Sequence, residues 1–385
     1  MTASVTSPVM RWLRSRPYAL TLIALAPVNA ILAVIRRTAF VPGSVLHISY
    51  MGHVPHEGVR VLRANGLKAD YLAVGDSPIW NQADYRITSA RLPFMAAWRE
   101  FRMLWSVVAR YEIIHSHFMV TMSRNGWEWP ILKRMGRKLV IHYRGCEIRD
   151  RQRNMALHPA VNICEECDYR PYICEDGLTR HRRALAHKYG DAFVVTTPDL
   201  QDFAPDAVHV KFFRPDSVVP VANGAPHSTI RIVHATNHPG IEGTRHIERA
   251  VAALKAKGYA IELTVLGGVT QREVLAALAT ADVSIGKMKM GYYANAQVES
   301  LAAGVPAITW VRPEFRTPEM EASGLILTSL DALEATLEDL LRHPEKLAAK
   351  RAVARASAER LHDNAAIAGQ LADIYRRLAL DPATV

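Results

Sequence analysis

A rhythm that runs twice along the chain is its strongest constraint. SVLHISY, 44–50, is a short β-branched run closed by the loop MGHVPHEG, 51–58, and reads as a strand. VRVLRANGLKADYLAV, 59–74, reads as a helix ended by Asn65-Gly66, then a strand. MAAWREFRMLWSVVARY, 95–111, has helical periodicity, and EIIHSHF (112–118), RKLVIHYRG (137–145) and DAFVVTTPDL (191–200) follow as strands. A Pro-rich stretch, 212–229, reads as a linker. The alternation then restarts with TIRIVHAT as strand, GTRHIERAVAALKAKG as helix, AIELTVLGG as strand, TQREVLAALATA as helix, and DVSIGKM and PAITW as strands. Strand and helix in alternation mean parallel sheets covered on both faces. The expectation is an α/β chain of two doubly wound domains facing a cleft, with ligands beyond the carboxyl ends of the strands. At 385 residues each half is long enough for its own core.

The apolar and charged fractions, 49% and 22%, are those of a globular chain. A net charge of +10 favours anionic partners: lipid, nucleotide phosphates or nucleic acid. No zinc finger, RNA-recognition signature or basic-zipper region is present, so nucleic acid is set aside.

PYALTLIALAPVNAILAVI, 17–35, is uncharged and almost wholly apolar, with Arg11, Arg14 and Arg16 before it and Arg36 and Arg37 after it. At 1.5 Å per residue it reaches roughly 28 Å, just enough to span a bilayer. Pro27 and Asn29 are expected to interrupt it. No cleavage site leads into a polar mature start, which argues against a signal peptide. Three readings stand: a spanning helix, a bent or interfacial segment, or a helix packed on the protein. Arginines on both flanks suit embedding from one anionic face.

Of four cysteines, Cys164, Cys167 and Cys174 form C-x2-C-x6-C, and Cys146 precedes them. A disulfide framework would be unusual in so large a chain, so a reducing compartment is expected. The spacing suits structural zinc, with Cys146, His158 or His181 as the fourth ligand. The equal alternative is three reduced thiols in an insertion, 150–186, whose TRHRR makes a basic edge.

ANAQVESLAAGVPAITW, 294–310, places one carboxylate among small apolar residues. Asn295 can serve as N-cap, Ala296 to Ala303 make two turns, Gly304 supplies a left-handed end and Pro306 blocks continuation. Val298, Leu301 and Ala302 share the face that packs on the sheet. The first N–H groups form an anion site, and Glu299, one turn in, can accept hydrogen bonds from vicinal ribose hydroxyls. Taken alone, Glu299 would merely complement the helix dipole.

With its context, ESLAAGVPAI resembles the donor motif of the retaining GT-B glycosyltransferases of the large family 4 group: Glu, seven residues, Glu, a small-residue helix and Gly-x-Pro. The resemblance runs from about residue 44 and includes DAFVVTTPDL, IVHATNHPGIEGTRHIERAVAAL and LHDNAAIAGQLADIYRRL. It implies two Rossmann-like domains and makes Glu299 the ribose ligand. The chain departs from the pattern at Gly291, where the first Glu is expected, and in 234–243, where Thr236 or Asn237 and Glu242 replace the Arg and Lys that clamp the donor diphosphate. Lys287, Lys289 and Arg245 are the candidate replacements, and Gly291 could admit backbone N–H groups to the sugar or phosphate. Asn237 and Asn295 complete the expected donor set.

HSHF, 115–118, is similar to the family's His-x-His strand end. Alternation points His115 and His117 to one side, and the resemblance gives His117 the catalytic position at the transferred sugar. The bland reading is a pair of strand-end histidines bonding to backbone. HYRGCEIR, 142–149, resembles the loop after the next strand, with Arg144 for a His and Glu147 for an Asp, and with Gly145 and Arg149 kept. That loop and Gly52 are expected on the acceptor side. The implied domains are an N-terminal segment 1–43, an acceptor domain 44–210, a donor domain 211–365 and a terminal helix 366–385.

The implied function is transfer of a sugar from a nucleotide-diphosphate donor to a lipid-linked or surface-polysaccharide acceptor. Retention, no catalytic metal and a bacterial-type setting on the cytoplasmic face of a membrane go with it. The alternatives are a non-catalytic GT-B-like partner in polysaccharide assembly and a nucleotide-sugar epimerase.

Overall fold

The computed structural model describes residues 8–50, 52–75, 82–88, 90–221 and 228–385. Met51 of the first loop and residues 222–227 of the expected linker lie outside them, as do the side chains of Arg11 and Arg14. The elements are α1 (Pro8–Ile35), β1 (Val41–Ser49), α2 (His53–Ala64), β2 (Lys68–Val74), β3 (Tyr85–Ile87), α3 (Pro93–Ser106), β4 (Tyr111–His117), α4 (Glu128–Arg134), β5 (Lys138–Tyr143), α5 (Arg151–Leu157), α6 (Gly177–Tyr189), β6 (Ala192–Val195) and β7 (Val208–His209). After them come β8 (Ile230–Ala235), α7 (Pro239–Glu242), α8 (Thr244–Ala256), β9 (Ile261–Leu266), α9 (Gln271–Leu278), β10 (Val283–Ile285), α10 (Asn295–Ala302), β11 (Ala307–Thr309), α11 (Pro318–Glu321), β12 (Leu325–Leu327), α12 (Leu333–Arg342), α13 (Pro344–Leu361) and α14 (Asn364–Leu378).

Two compact units result. The first comprises the chain to Glu147, Gly177–Val194 and Ala368–Val385; the second comprises Ile148–Asp176 and Val195–Ile367. These bounds differ from the expected division. The 150–186 insertion is split, its cysteine-bearing part going with the second unit and α6 with the first. The physical reason is charge: Arg149 pairs with Asp199, and Glu166 pairs with Lys289 and Arg245. The terminal helix returns to the first unit because Tyr375 and the Leu380 N–H bond there to His115 and Glu112.

The first unit's sheet has the order β3-β2-β1-β4-β5-β6. β4 lies at its centre and is buried at all seven positions, as a strand covered on both faces must be. The second sheet, β12-β11-β10-β8-β9, is parallel throughout. Its core joins α10 to α13 through Val298, Leu301, Ala302, Ala354 and Ala358. This confirms the face expected for α10.

α1 runs unbroken through Pro27. The expected interruption is absent because Asn29 turns its amide inward, where its Oδ1 accepts from Trp105 Nε1 at 2.8 Å. Tyr18, Leu22, Leu25, Asn29, Leu32 and Ala33 share the protein-facing side, at helical spacing. Tyr18 donates to Glu100 at 2.5 Å near one end. At the other end Arg137 donates to the carbonyls of Arg36 and Arg37, and Arg36 donates to the Trp105 carbonyl. The opposite face stays open, with Leu20, Ile23, Ile31 and Val34 all more than half exposed. Phe94 and Trp98 of α3 are exposed as well.

Leu301 is fully buried between sheet and α13. Leu301→Ala is expected to cost about 2–5 kcal/mol, read as a lower urea midpoint with unchanged slope.

Candidate functional site

The register of the first sheet gathers histidines. His47 on β1 stands opposite His115 on β4, and His117, two residues on, stands opposite His142 on β5. Alternate residues share a face, so all four rings meet on one side of the sheet. α14 brings Tyr375 to them. All five side chains are buried.

Their hydrogen bonds have one direction. A guanidinium only donates. Arg144 Nε lies 3.0 Å from His117 Nδ1, so His117 carries its proton on Nε2. That proton goes to His47 Nδ1 at 2.9 Å, which leaves the His47 proton on Nε2, 3.4 Å from the Tyr375 oxygen. Tyr375 donates to His115 Nδ1 at 2.6 Å, and His115 Nε2–H donates to His142 Nδ1 at 3.0 Å. Nitrogens of His47, His115 and His117 lie within 4.8 Å of one another, a spacing open to a transition-metal ion. The Arg144 donation keeps the proton on His117 Nε2, so in this arrangement that nitrogen is a donor and not a ligand.

Burial, reinforced by the Arg144 charge, pushes His47 down to about 3. Burial holds His115 and His117 well below the ordinary histidine range, with like charges adding to it. Burial also lowers Arg144 to about 10. Sequence reading placed His117 at the sugar; here both of its ring nitrogens are bonded within the protein, so it reaches a ligand only by exchanging one bond. Reading also missed His47, His142 and Tyr375. The first two lie in strands legible in the sequence, but only the register shows that they converge. The backbone leaving β4 is strained, with Phe118 and Met119 at φ of 55° and 53°.

The residues expected on the acceptor side are divided between the two units. Glu147 Oε1 accepts from the Arg144 backbone N–H at 2.5 Å and so closes its own loop. Arg149 lies in the second unit in a buried ion pair with Asp199. Gly52 is the N-cap of α2 at φ −74°, a conformation that any residue adopts.

In the second unit α10 begins at Asn295, and the N-cap is Ala294, not Asn295. The reason is Gln297, whose side chain reaches back to accept from the Ala294 N–H at 3.0 Å. Asn295 uses its amide on Glu299 instead, at 3.2 Å. Gln271, at the start of α9, donates to the same Glu299 oxygen at 2.7 Å. Gln271 had no signal in sequence, because the contact crosses 28 residues between two helix starts. Gly304 ends α10 at φ +81°, as its position requires.

Gly291 is held at φ +88°, and a Cβ there would press into the Arg312 side chain. Its open face is therefore covered by Arg312, not left for a ligand. Asn237 Oδ1 accepts from the Gly268 N–H at 3.1 Å and ties the β8 and β9 loops together. All three candidate cations are paired: Lys287 with Glu242, and Lys289 and Arg245 with Glu166. Burial lowers the Lys289 ammonium below its ordinary range.

The four thiols are free. Cys164, Cys167 and Cys174 belong to the second unit and Cys146 to the first. Among the described residues the three do not gather as closely as the histidines do. Of the other fourth-ligand candidates, His158 lies 2.9 Å from Asp202 and His181 lies 2.9 Å from the Asn125 carbonyl.

The neutral histidines link stability to pH. In the unfolded chain a histidine takes a proton near pH 6.5, whereas the folded His47, His115 and His117 take theirs only at lower pH. The unfolded state therefore binds more protons, and stability falls as pH drops through and below 6.5, each of the three rings adding to the slope. Urea midpoints between pH 7 and pH 5 check this, and His47→Gln is expected to flatten the slope.

No protein-family model matches the chain, and no curated protein matches it in sequence. Solved structures match its fold. Sucrose-phosphate synthase from Thermosynechococcus elongatus aligns with a TM-score of 0.55 at 15% identity over 87% of this chain and 99% of its own. HepE of Anabaena, solved with UDP and glucose, gives 0.57 at 12% over 86% and 98%. The catalytic domain of starch synthase IV from Arabidopsis thaliana, bound to ADP and acarbose, gives 0.58 at 9% over 88% and 99%. Identities this low speak for fold alone: the chain has the GT-B glycosyltransferase fold, two sheets of Rossmann type preceded by an apolar helix.

Proposed function

We propose that the chain is a glycosyltransferase. It moves a sugar from a nucleoside-diphosphate donor to a lipid-linked or surface-polysaccharide acceptor, with retention and without a catalytic metal, at the cytoplasmic face of a membrane. The observation that carries this reading is Glu299. Two amide donors, Asn295 and Gln271, fix one of its oxygens and so orient the carboxylate at the head of α10. Fixing the carboxylate in one orientation suits it to receive ribose hydroxyls. Matching folds solved with UDP and with ADP support a nucleotide ligand. Charge developing on the departing diphosphate calls for the N-terminal N–H groups of α10 and for Lys287 and Lys289.

One observation favours a non-catalytic GT-B-like partner: every candidate cation of the donor set already holds a carboxylate. A thermal-shift series with UDP, ADP and GDP separates the two readings. At least one nucleotide is expected to raise Tm by roughly 5 °C at a hundredfold excess over Kd, and Glu299→Ala to abolish the rise. Silence of both proteins toward all three nucleotides would sink the donor site. Metal analysis of wild type against Cys164→Ser tests structural zinc on the cysteine segment.

Membrane contact rests on α1. Its bonds at both ends hold it along the first unit, and its open face is apolar over four turns. In this reading α1 lies in the interface with the exposed aromatics of α3 and does not cross the bilayer. Co-sedimentation with vesicles containing one anionic lipid is expected for wild type and lost in Ile23→Asp/Ile31→Asp. Equal pelleting of the two proteins would refute it.

A further inference from the structure

The cysteine segment reads Cys164-Glu165-Glu166-Cys167-Asp168, and its carboxylates sit on the second unit's cations. Glu166 Oε2 lies 2.9 Å from Lys289 Nζ and 3.4 Å from His246 Nε2, while Oε1 meets Arg245. Asp168 accepts from the Gly240 N–H at 3.1 Å and lies 3.5 Å from His238 Nδ1. Tyr169 packs on the His238 ring, with centroids 4.2 Å apart. Three cationic or protonatable groups, a backbone N–H at the start of α7 and a second histidine thus converge on two carboxylates.

That donor set suits a phosphate. It presents several N–H groups to oxygens and places positive charge beside them. The loop also fits closely against the chain that it covers. A Cβ on Gly240 would run into the Glu166 carbonyl, so the glycine is what lets the loop lie down. Lys289 is buried, and a buried ammonium needs an anion beside it. If the loop lifts, another anion must take its place.

We infer that Glu166 and Asp168 are a built-in stand-in for a diphosphate: the loop is a latch that closes the anion subsite of Lys289, Arg245 and His246, and the diphosphate of a nucleotide displaces it. This rests on the donor-site reading of the second unit given above and adds its regulation. A latch of this kind lowers apparent affinity by the fraction of molecules in which it is open.

Two variants open the latch by different means. Glu166→Gln/Asp168→Asn removes its charge. Gly240→Ala leaves every charge in place and pushes the loop away sterically. UDP titrated by calorimetry is expected to bind each variant about tenfold more tightly than wild type. In wild type, UDP is expected to speed hydrogen exchange of the amides of residues 164–168, a measurement that stands even if a variant fails to fold. Equal or weaker UDP binding in both folded variants, or exchange that UDP leaves unchanged or slows, overturns the latch and leaves the donor site standing. UDP, ADP and inorganic pyrophosphate binding to none of the proteins overturns the donor reading and the latch with it.

Discussion

Buried cations organise the second unit. Lys289, Arg149 and Arg312 are nearly inaccessible, and each meets a carboxylate: Glu166, Asp199 and Asp202. Leaving any one of them unpaired would cost about 3–5 kcal/mol. Arg149 and Glu166 lie in the stretch Ile148–Asp176, so the same pairs fasten that stretch to the rest of the unit. Arg312 does a second job, because its side chain covers Gly291 and fixes the loop that leads into α10. The position of Glu299 therefore depends on ion pairs made far from it in sequence.

The first unit solves a different problem. Imidazole rings taken out of water need partners, and here they partner one another in a fixed donor-to-acceptor order that starts at Arg144. A chain with one direction has one set of tautomers, which makes the cluster rigid. Arg144 is held in turn, since its Nε points at His117.

What was legible in the sequence was what local pattern determines. Period-two and period-3.6 runs placed the central strands and helices, and Gly304 with Pro306 marked the end of α10. The N-cap lies one residue earlier than expected, at Ala294, because the Gln297 side chain accepts from the Ala294 N–H and Asn295 gives its amide to Glu299. Pro27 suggested a break, but α1 continues through it, held on α3 by the bonds of Asn29 and Tyr18. The allegiance of the cysteine segment rests on contacts across 79 and 123 residues, and Tyr375 meets His115 across 260. No local signal carries such information. α10 could be read in sequence, whereas the pairing of Lys287, Lys289 and Arg245 with carboxylates needed three dimensions.

The return of the chain to its first unit has a consequence for synthesis. Buried Glu112 accepts from the N–H of Gly43 at 2.7 Å and from the N–H of Leu380 at 2.6 Å, and Tyr375 completes the histidine cluster. Domains commonly fold as they leave the ribosome, the N-terminal one first. Here that order is blocked: the opening unit lacks its last hydrogen-bond partners until residue 380 has emerged. The middle of the chain, Val195–Ile367, is free to fold before the unit that precedes it is finished.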